Sequence, residues 1–181
     1  NGFRRLIVEK PLATGVQDLR VISHIRRRHG LDIAVVSHWL DAELTHRIGA
    51  LVRGGELGPL RAISFALHKP RFTRTATTDG HPTAFDVEVP HSLGVALRLA
   101  GSARVTEAEW TDMRFGNHLH PRMGGARMVL RHDTGVISEI TSDLTAPVRQ
   151  RRIELEFARG SIIGHYPLGE DDDHAHLVVA G

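Results

Sequence analysis

Hydrophobic positions along the chain change period several times, and each change marks an element. Over 3–9 they alternate and then run apolar into Glu9, the pattern of a buried strand. Val16, Leu19, Ile22 and Ile25 recur at helical spacing within 16–29. "RRRHG" closes that segment as a helix end, where cations complement the macrodipole and Gly30 can take the left-handed cap. "LDIAVVSHW" is a second β-rich run. Strand, helix and strand together make one crossover of a parallel sheet.

From Asp41 the helical period returns, with Leu44, Ile48, Leu51 and Val52 on one stripe that ends at Gly54-Gly55. "LRAISFALHKP" alternates as a half-buried strand, and 71–85 reads as a long loop, of a length that goes with function or mobility. "PHSLGVALRLAG" predicts a helix with Pro90 in its first turn and Gly101 as its stop. Strands are predicted after it at about 103–115, 125–131, 135–142, 148–157 and 160–165, as one meander. Turns fall at 132–135 and 159–160, and a last apolar strand follows the acidic "DDDHAHL". The order predicts an α+β fold: an open, mostly antiparallel sheet with helices on one face, after the end of a parallel-sheet domain. No helix remains to cover the second face. Val129, Ile137, Ile153 and Leu155 are therefore expected to leave an apolar patch there, the mark of an interface between copies.

Composition narrows the function classes. Among 181 residues, 41% apolar and 24% charged is ordinary for a globular chain. There is no cysteine, which excludes disulfides and thiolate metal sites. No apolar stretch approaches the ~20 residues of a membrane span, and the first residues lack the features of a signal peptide. The expectation is a soluble, cytoplasmic protein with no membrane partner. The net charge of +2 comes from arginines scattered along the chain rather than from a basic stripe, so no nucleic-acid partner is expected. The pairs His118/His120 and His174/His176 could each share a strand face, but no third ligand has telling spacing and no metal is assigned.

Lysine is the unusual residue. Of 23 basic side chains only Lys10 and Lys69 are lysines, and proline follows each. A lysine is a compact point charge whose pKa moves on burial, while a guanidinium stays charged. A lysine kept at the end of a strand is thus a hint of chemistry.

Five segments, in order, resemble the Gfo/Idh/MocA family of glucose–fructose oxidoreductases and inositol dehydrogenases. They are "VEKPLA" at 8–13, "GGELGPLRAISF" at 54–65, "FDVEVPHSLGVALRLAG" at 85–101, "GVISEITSD" at 135–143 and "IELEFARGSIIG" at 153–164. The resemblance implies a Rossmann domain that holds NAD or NADP, followed by an α+β domain for substrate contacts and oligomerisation. On that template 1–37 is the last strand–helix–strand of the cofactor domain and 38–181 is the second domain. The chain contains no G-x-G-x-x-G. The pyrophosphate-binding turn is therefore expected upstream of Asn1, with this chain a piece lacking most of the cofactor domain.

The reaction implied is hydride transfer to or from a carbinol carbon of a sugar, cyclitol or related polyol. Glu9, Lys10 and Pro11 would lie at the cofactor edge, with Lys10 bonding the reacting hydroxyl and stabilising developing alkoxide. His91 matches the acid/base histidine of the family. Its place in the first turn of a helix disfavours the imidazolium, which suits a general base. The family aspartate four residues before it is replaced by Val87; Glu88 and Asp86 are the candidate carboxylates, and the longer Glu88 can better recover the reach. His38, Trp39, Lys69, Arg71 and His81 are candidate substrate contacts, although Trp39 suits the core equally well. A homo-oligomer through the open sheet face is expected. The alternative reading is a non-catalytic ligand-binding or dimerisation module that keeps the fold.

Overall fold

The computed structural model describes residues 2–13, 15–77, 81–169 and 171–181, and the chain divides into two units, Asn1–His38 and Trp39–Gly181. In the first, β1 (Arg5–Val8) pairs in parallel with β2 (Asp32–Val35), and α1 (Val16–His29) makes the crossover. The helix stops at Gly30, which takes φ 60° and donates its N–H to the Arg26 carbonyl. The β2 strand is shorter than its apolar run predicts. It ends at Val35, and His38–Leu40 form a 3-10 turn that turns Trp39 into the core of the second unit. Two strands and one helix cannot enclose a core: Ile7, Val16, Leu19 and Ile25 stay exposed, and α1 has no buried residue. The Lys10–Pro11 bond that follows β1 is cis.

The second unit holds α2 (Glu43–Gly54), β3 (Leu60–His68), α3 (Phe72–Thr77), α4 (Val89–Ala100), β4 (Ala103–Phe115), β5 (His118–His132), β6 (Ile137–Asp143), β7 (Gln150–Phe157), β8 (Gly160–His165) and β9 (His176–Ala180). The seven strands form one sheet in the order β4-β5-β6-β3-β7-β8-β9. It is a mixed sheet: β3 runs parallel to β6, and every other pairing is antiparallel. The expected single meander is thus split by β3. Its inward residues Ile63, Phe65 and Leu67 are almost wholly buried, which is the burial that a central strand provides. The connection 144–149 consequently crosses the end of β3, where Lys69 and Arg71 donate their backbone N–H groups to the carbonyls of Asp143 and Leu144.

Two further segments differ from the sequence expectation. Strand β5 begins at His118 rather than near 125, since "HLHPRMGG" lacks the alternation that reveals a strand yet pairs with β4 across the Gly116 turn. The expected loop at 71–85 contains α3 and a 3-10 turn at Ala84–Asp86, while Thr78–Gly80 lie outside the described residues.

Helices α2 and α4 cover one face of the sheet. Leu44, Ile48, Val95 and Ala96 pack with Phe65, Ile140, Ile153, Leu155 and Ile162 in a single core. The other face is polar. Arg127 bridges Glu107 and Glu139 across three strands, and Arg152 pairs with Glu154 beside them. This corrects the expected apolar patch. Ile153 and Leu155 are 0% exposed beneath the helices, and only Val129 and Ile137 share the face of the ion pairs. Alternation shows which residues share a face, but not which face the helices take.

Candidate functional site

Five segments of the second unit meet at one end of the sheet, on its helix-covered side. Inward alternation along β3 continues through Ile63, Phe65 and Leu67 to Lys69, just past the strand. On the neighbouring β7, Arg151 lies across from Leu67. Tyr166 follows β8 and donates its backbone N–H to the Arg151 carbonyl. The first turn of α4 contributes Glu88 as its N-cap and His91, with Pro90 between them. The 3-10 turn adds Trp39.

Glu88 is the centre of the cluster and is 4% exposed. It accepts a hydrogen bond from Lys69 Nζ at 2.6 Å, and Arg151 Nε lies 3.7 Å from its other oxygen. Burial alone would push the carboxyl up. The Lys69 hydrogen bond, with the charges of Lys69, Arg151 and His91, outweighs burial and holds it below the usual carboxylate range. Glu88 is therefore a carboxylate at neutral pH, and a buried charge of this kind needs its partners.

Trp39 forms the wall. Its ring stacks on His91 at 5.5 Å and on Tyr166 at 4.2 Å, with the Arg151 guanidinium 5.9 Å from its centroid. Thr45 ties this wall to α2, donating to the Trp39 carbonyl at 2.6 Å and lying 2.7 Å from the Tyr166 hydroxyl. Burial pushes the Tyr166 phenol up to about 12, against the Thr45 hydrogen bond, so it stays neutral. Trp39 thus serves core and site at once.

Arg71 enters the same region just before α3 and is 4% exposed. Burial lowers its pKa, as does neighbouring Arg74, while the Glu88 charge opposes both. Its backbone is bonded, but its Nε finds no hydrogen-bond partner among the described residues.

Several sequence candidates are thus brought together: Trp39, Lys69, Arg71, Glu88 and His91. Asp86 serves its own turn, accepting from the Thr83 backbone N–H at 3.0 Å and hydroxyl at 2.7 Å. Val87, at the position of the family aspartate, is buried in the core. His38 is exposed at the start of the 3-10 turn, and His81 is half-buried ahead of the Ala84–Asp86 turn. Glu9, Lys10 and Pro11 belong to the first unit, where Lys10 is half-buried and its two neighbours are exposed.

Sequence reasoning missed Arg151 and Tyr166. The signal for Arg151 was parity: 151 shares its face with Ile153, Leu155 and Phe157, an inward position for a cation. Tyr166 is the single tyrosine of the chain and continues the inward set of Ile162 and Gly164. Neither histidine pair gathers ligands: among the described residues no group of three or more His, Asp or Glu side chains could hold a metal ion. Nor is any described helix long and apolar enough to cross a membrane.

No protein-family model matches the chain, and no curated protein matches it. Solved structures do. A Desulfitobacterium hafniense protein described as an NADPH-dependent oxidoreductase superposes with a TM-score of 0.82 at 12% identity, over 96% of this chain and 53% of its own. KijD10, a 3-ketoreductase from Actinomadura kijaniata solved with NADP, gives 0.72 at 17%, over 96% and 55%. An oxidoreductase from Agrobacterium radiobacter, solved with NAD+, L-tartaric acid and magnesium, gives 0.73 at 14%, over 95% and 53%. The chain spans about half the length of each, and it shares the fold of that half of these oxidoreductases.

Proposed function

We propose that this chain is the substrate-binding part of an NAD(P)-dependent oxidoreductase of the Gfo/Idh/MocA type, acting on a CH–OH group of a sugar, cyclitol or related polyol. The observation that carries the reading is the buried Lys69–Glu88–Arg151 cluster beside His91 and Trp39, on a fold shared with about half the length of each of the solved oxidoreductases above.

Glu9, Lys10 and Pro11 follow β1 at the carboxyl edge of a parallel pair, where open α/β sheets take ligands. That fits the nicotinamide end of a dinucleotide site. The chain has no glycine-rich turn for the pyrophosphate, so the rest of the grip is assigned to residues outside it. The exposed apolar residues of α1 and β1 support this, as surfaces of the kind that further strands would cover. A bound nicotinamide would supply or take the hydride.

His91 moves the hydroxyl proton. Its ring is stacked on Trp39, beside the Glu88 carboxylate, whose ionised form the His91 charge favours. Lys10 stabilises negative charge on the reacting oxygen. Lys69 and Arg151 keep Glu88 ionised and in place. Copies of the chain associate through the open sheet face.

Turnover tests the reading. The full-length protein, given NAD+ or NADP+ and a panel of sugars and cyclitols, should reduce the nicotinamide with at least one of them. His91→Asn should lower kcat by ~100-fold or more, the range of a lost acid/base group. Lys10→Met should cost a similar ~100-fold, as loss of one charge donor does. Buried Val87 in place of the expected aspartate favours a second reading, a non-catalytic module that binds the same ligands. Ligand binding without nicotinamide turnover would establish that reading instead.

A further inference from the structure

The polar end of the second unit is unbalanced in charge. Three cations, Lys69, Arg71 and Arg151, surround the Glu88 carboxylate, and Arg74 adds to the positive field at Arg71. Glu88 is satisfied by Lys69 and Arg151. Arg71 is not satisfied: the residue is 4% exposed, and its Nε has no hydrogen-bond partner among the described residues. A buried donor without a partner is rare and costly. The cluster is not sealed, however, because the Lys69 and Arg151 side chains each keep about a fifth of their surface, 20% and 21%.

A guanidinium presents Nε and one Nη as a planar fork, which matches two oxygens of a carboxylate or a phosphoryl group. Neutral hydroxyls do not need that match, and a polyol site does not need three cations. We propose that the substrate of this site carries an oxyanion, a carboxylate or a phosphoryl group, which Arg71 grips through its free Nε with Lys69 and Arg151 completing the positive pocket. The inference rests on reading the cluster as the substrate site. It narrows the class from polyols at large to sugar acids or sugar phosphates.

The test uses the 181-residue chain labelled with nitrogen-15, titrated separately with inorganic phosphate and with acetate, and with chloride as the ionic-strength control. The Arg71 Nε–H and Trp39 indole N–H resonances are followed, the first identified by its loss in Arg71→Gln. The expected result is a saturable shift of both with phosphate or acetate and none with chloride. Arg71→Gln should weaken the anion, read at Trp39, by ~10-fold or more, as loss of a charge-assisted hydrogen bond does. Arg71→Lys should fall between, keeping the charge without the fork. Tighter acetate points to a sugar acid and tighter phosphate to a phosphate ester. No saturable shift with either anion, or equal binding by Arg71→Gln, overturns the proposal. If Arg71→Gln does not fold, Arg71→Lys, which also lacks the Nε–H, identifies the resonance by its loss, and the wild-type Nε–H titration decides. A neutral polyol turned over without any anion shift would sink this inference and leave the oxidoreductase reading; an anion shift in a protein without turnover would do the reverse.

Discussion

Glu88 carries most of what single residues contribute here. Its folded pKa is depressed, so its ion pairs stabilise the protein fully above the unfolded glutamate value of about 4.3. That contribution is lost as pH falls through the lower folded pKa. Thermal melts of wild type and Glu88→Gln should therefore differ most near neutrality, and the gap should close in acid; a gap independent of pH would show that Glu88 is not ionised in the fold. Lys69→Met leaves a buried carboxylate without its 2.6 Å hydrogen bond and with the longer Arg151 contact, and should destabilise by about 3 kcal/mol in urea. Adding Glu88→Leu to Lys69→Met should recover part of that loss, because removing both charges is milder than removing one. Of this cluster, Lys69 and Glu88 were legible in the sequence from rarity and from spacing to His91. Arg151 was not, because its neighbours in space lie about sixty and eighty residues away in the chain.

Elements bring those residues together through close approach. Helix α2 lies over β8 where Gly164 has no side chain: a Cβ there would stand 2.9 Å from Ile153 Cγ2 and 3.3 Å from both Ile48 and Leu44. Gly164→Ala should therefore force the helix outward and cost about 1–3 kcal/mol, measurable as a lower urea midpoint with an unchanged slope. The shift should also move Thr45, which sits on α2 and holds the Trp39–Tyr166 wall, so a changed Trp39 fluorescence is expected with it. His132 makes a second joint. Its Nδ1 donates to the Gly101 carbonyl that ends α4, and its Nε2 bonds Ser138 on β6, each at 2.8 Å. These contacts join the helix carrying His91 to the sheet.

At the scale of the whole molecule, the open sheet face decides how copies could meet. It carries the Glu107–Arg127–Glu139 ladder and the Arg152–Glu154 pair rather than an apolar sheet. Association through this face should accordingly respond to salt. Sedimentation should show dimers or larger species at low ionic strength, shifting toward monomer near ~1 M salt, where the Debye length is only ~3 Å. A monomer throughout, or assembly indifferent to salt, would count against the face as the interface.

What the sequence determined by itself is local. The period of apolar residues marked α1 at Val16–His29, β4 at Ala103–Phe115 and β8 at Gly160–His165, and Gly30 marked the left-handed helix end. Those features depend on neighbours within a few residues, so the chain carries their signal directly. The tertiary structure alone decided that β3 enters between β6 and β7, that the helices cover Ile153 and Leu155 rather than Val129 and Ile137, and that Arg151 and Tyr166 join Glu88 and His91. An alternating strand offers both its faces and both its edges to the rest of the chain. Which of them is used depends on the burial that the assembled sheet and helices achieve together, and that burial exists only once distant segments have met.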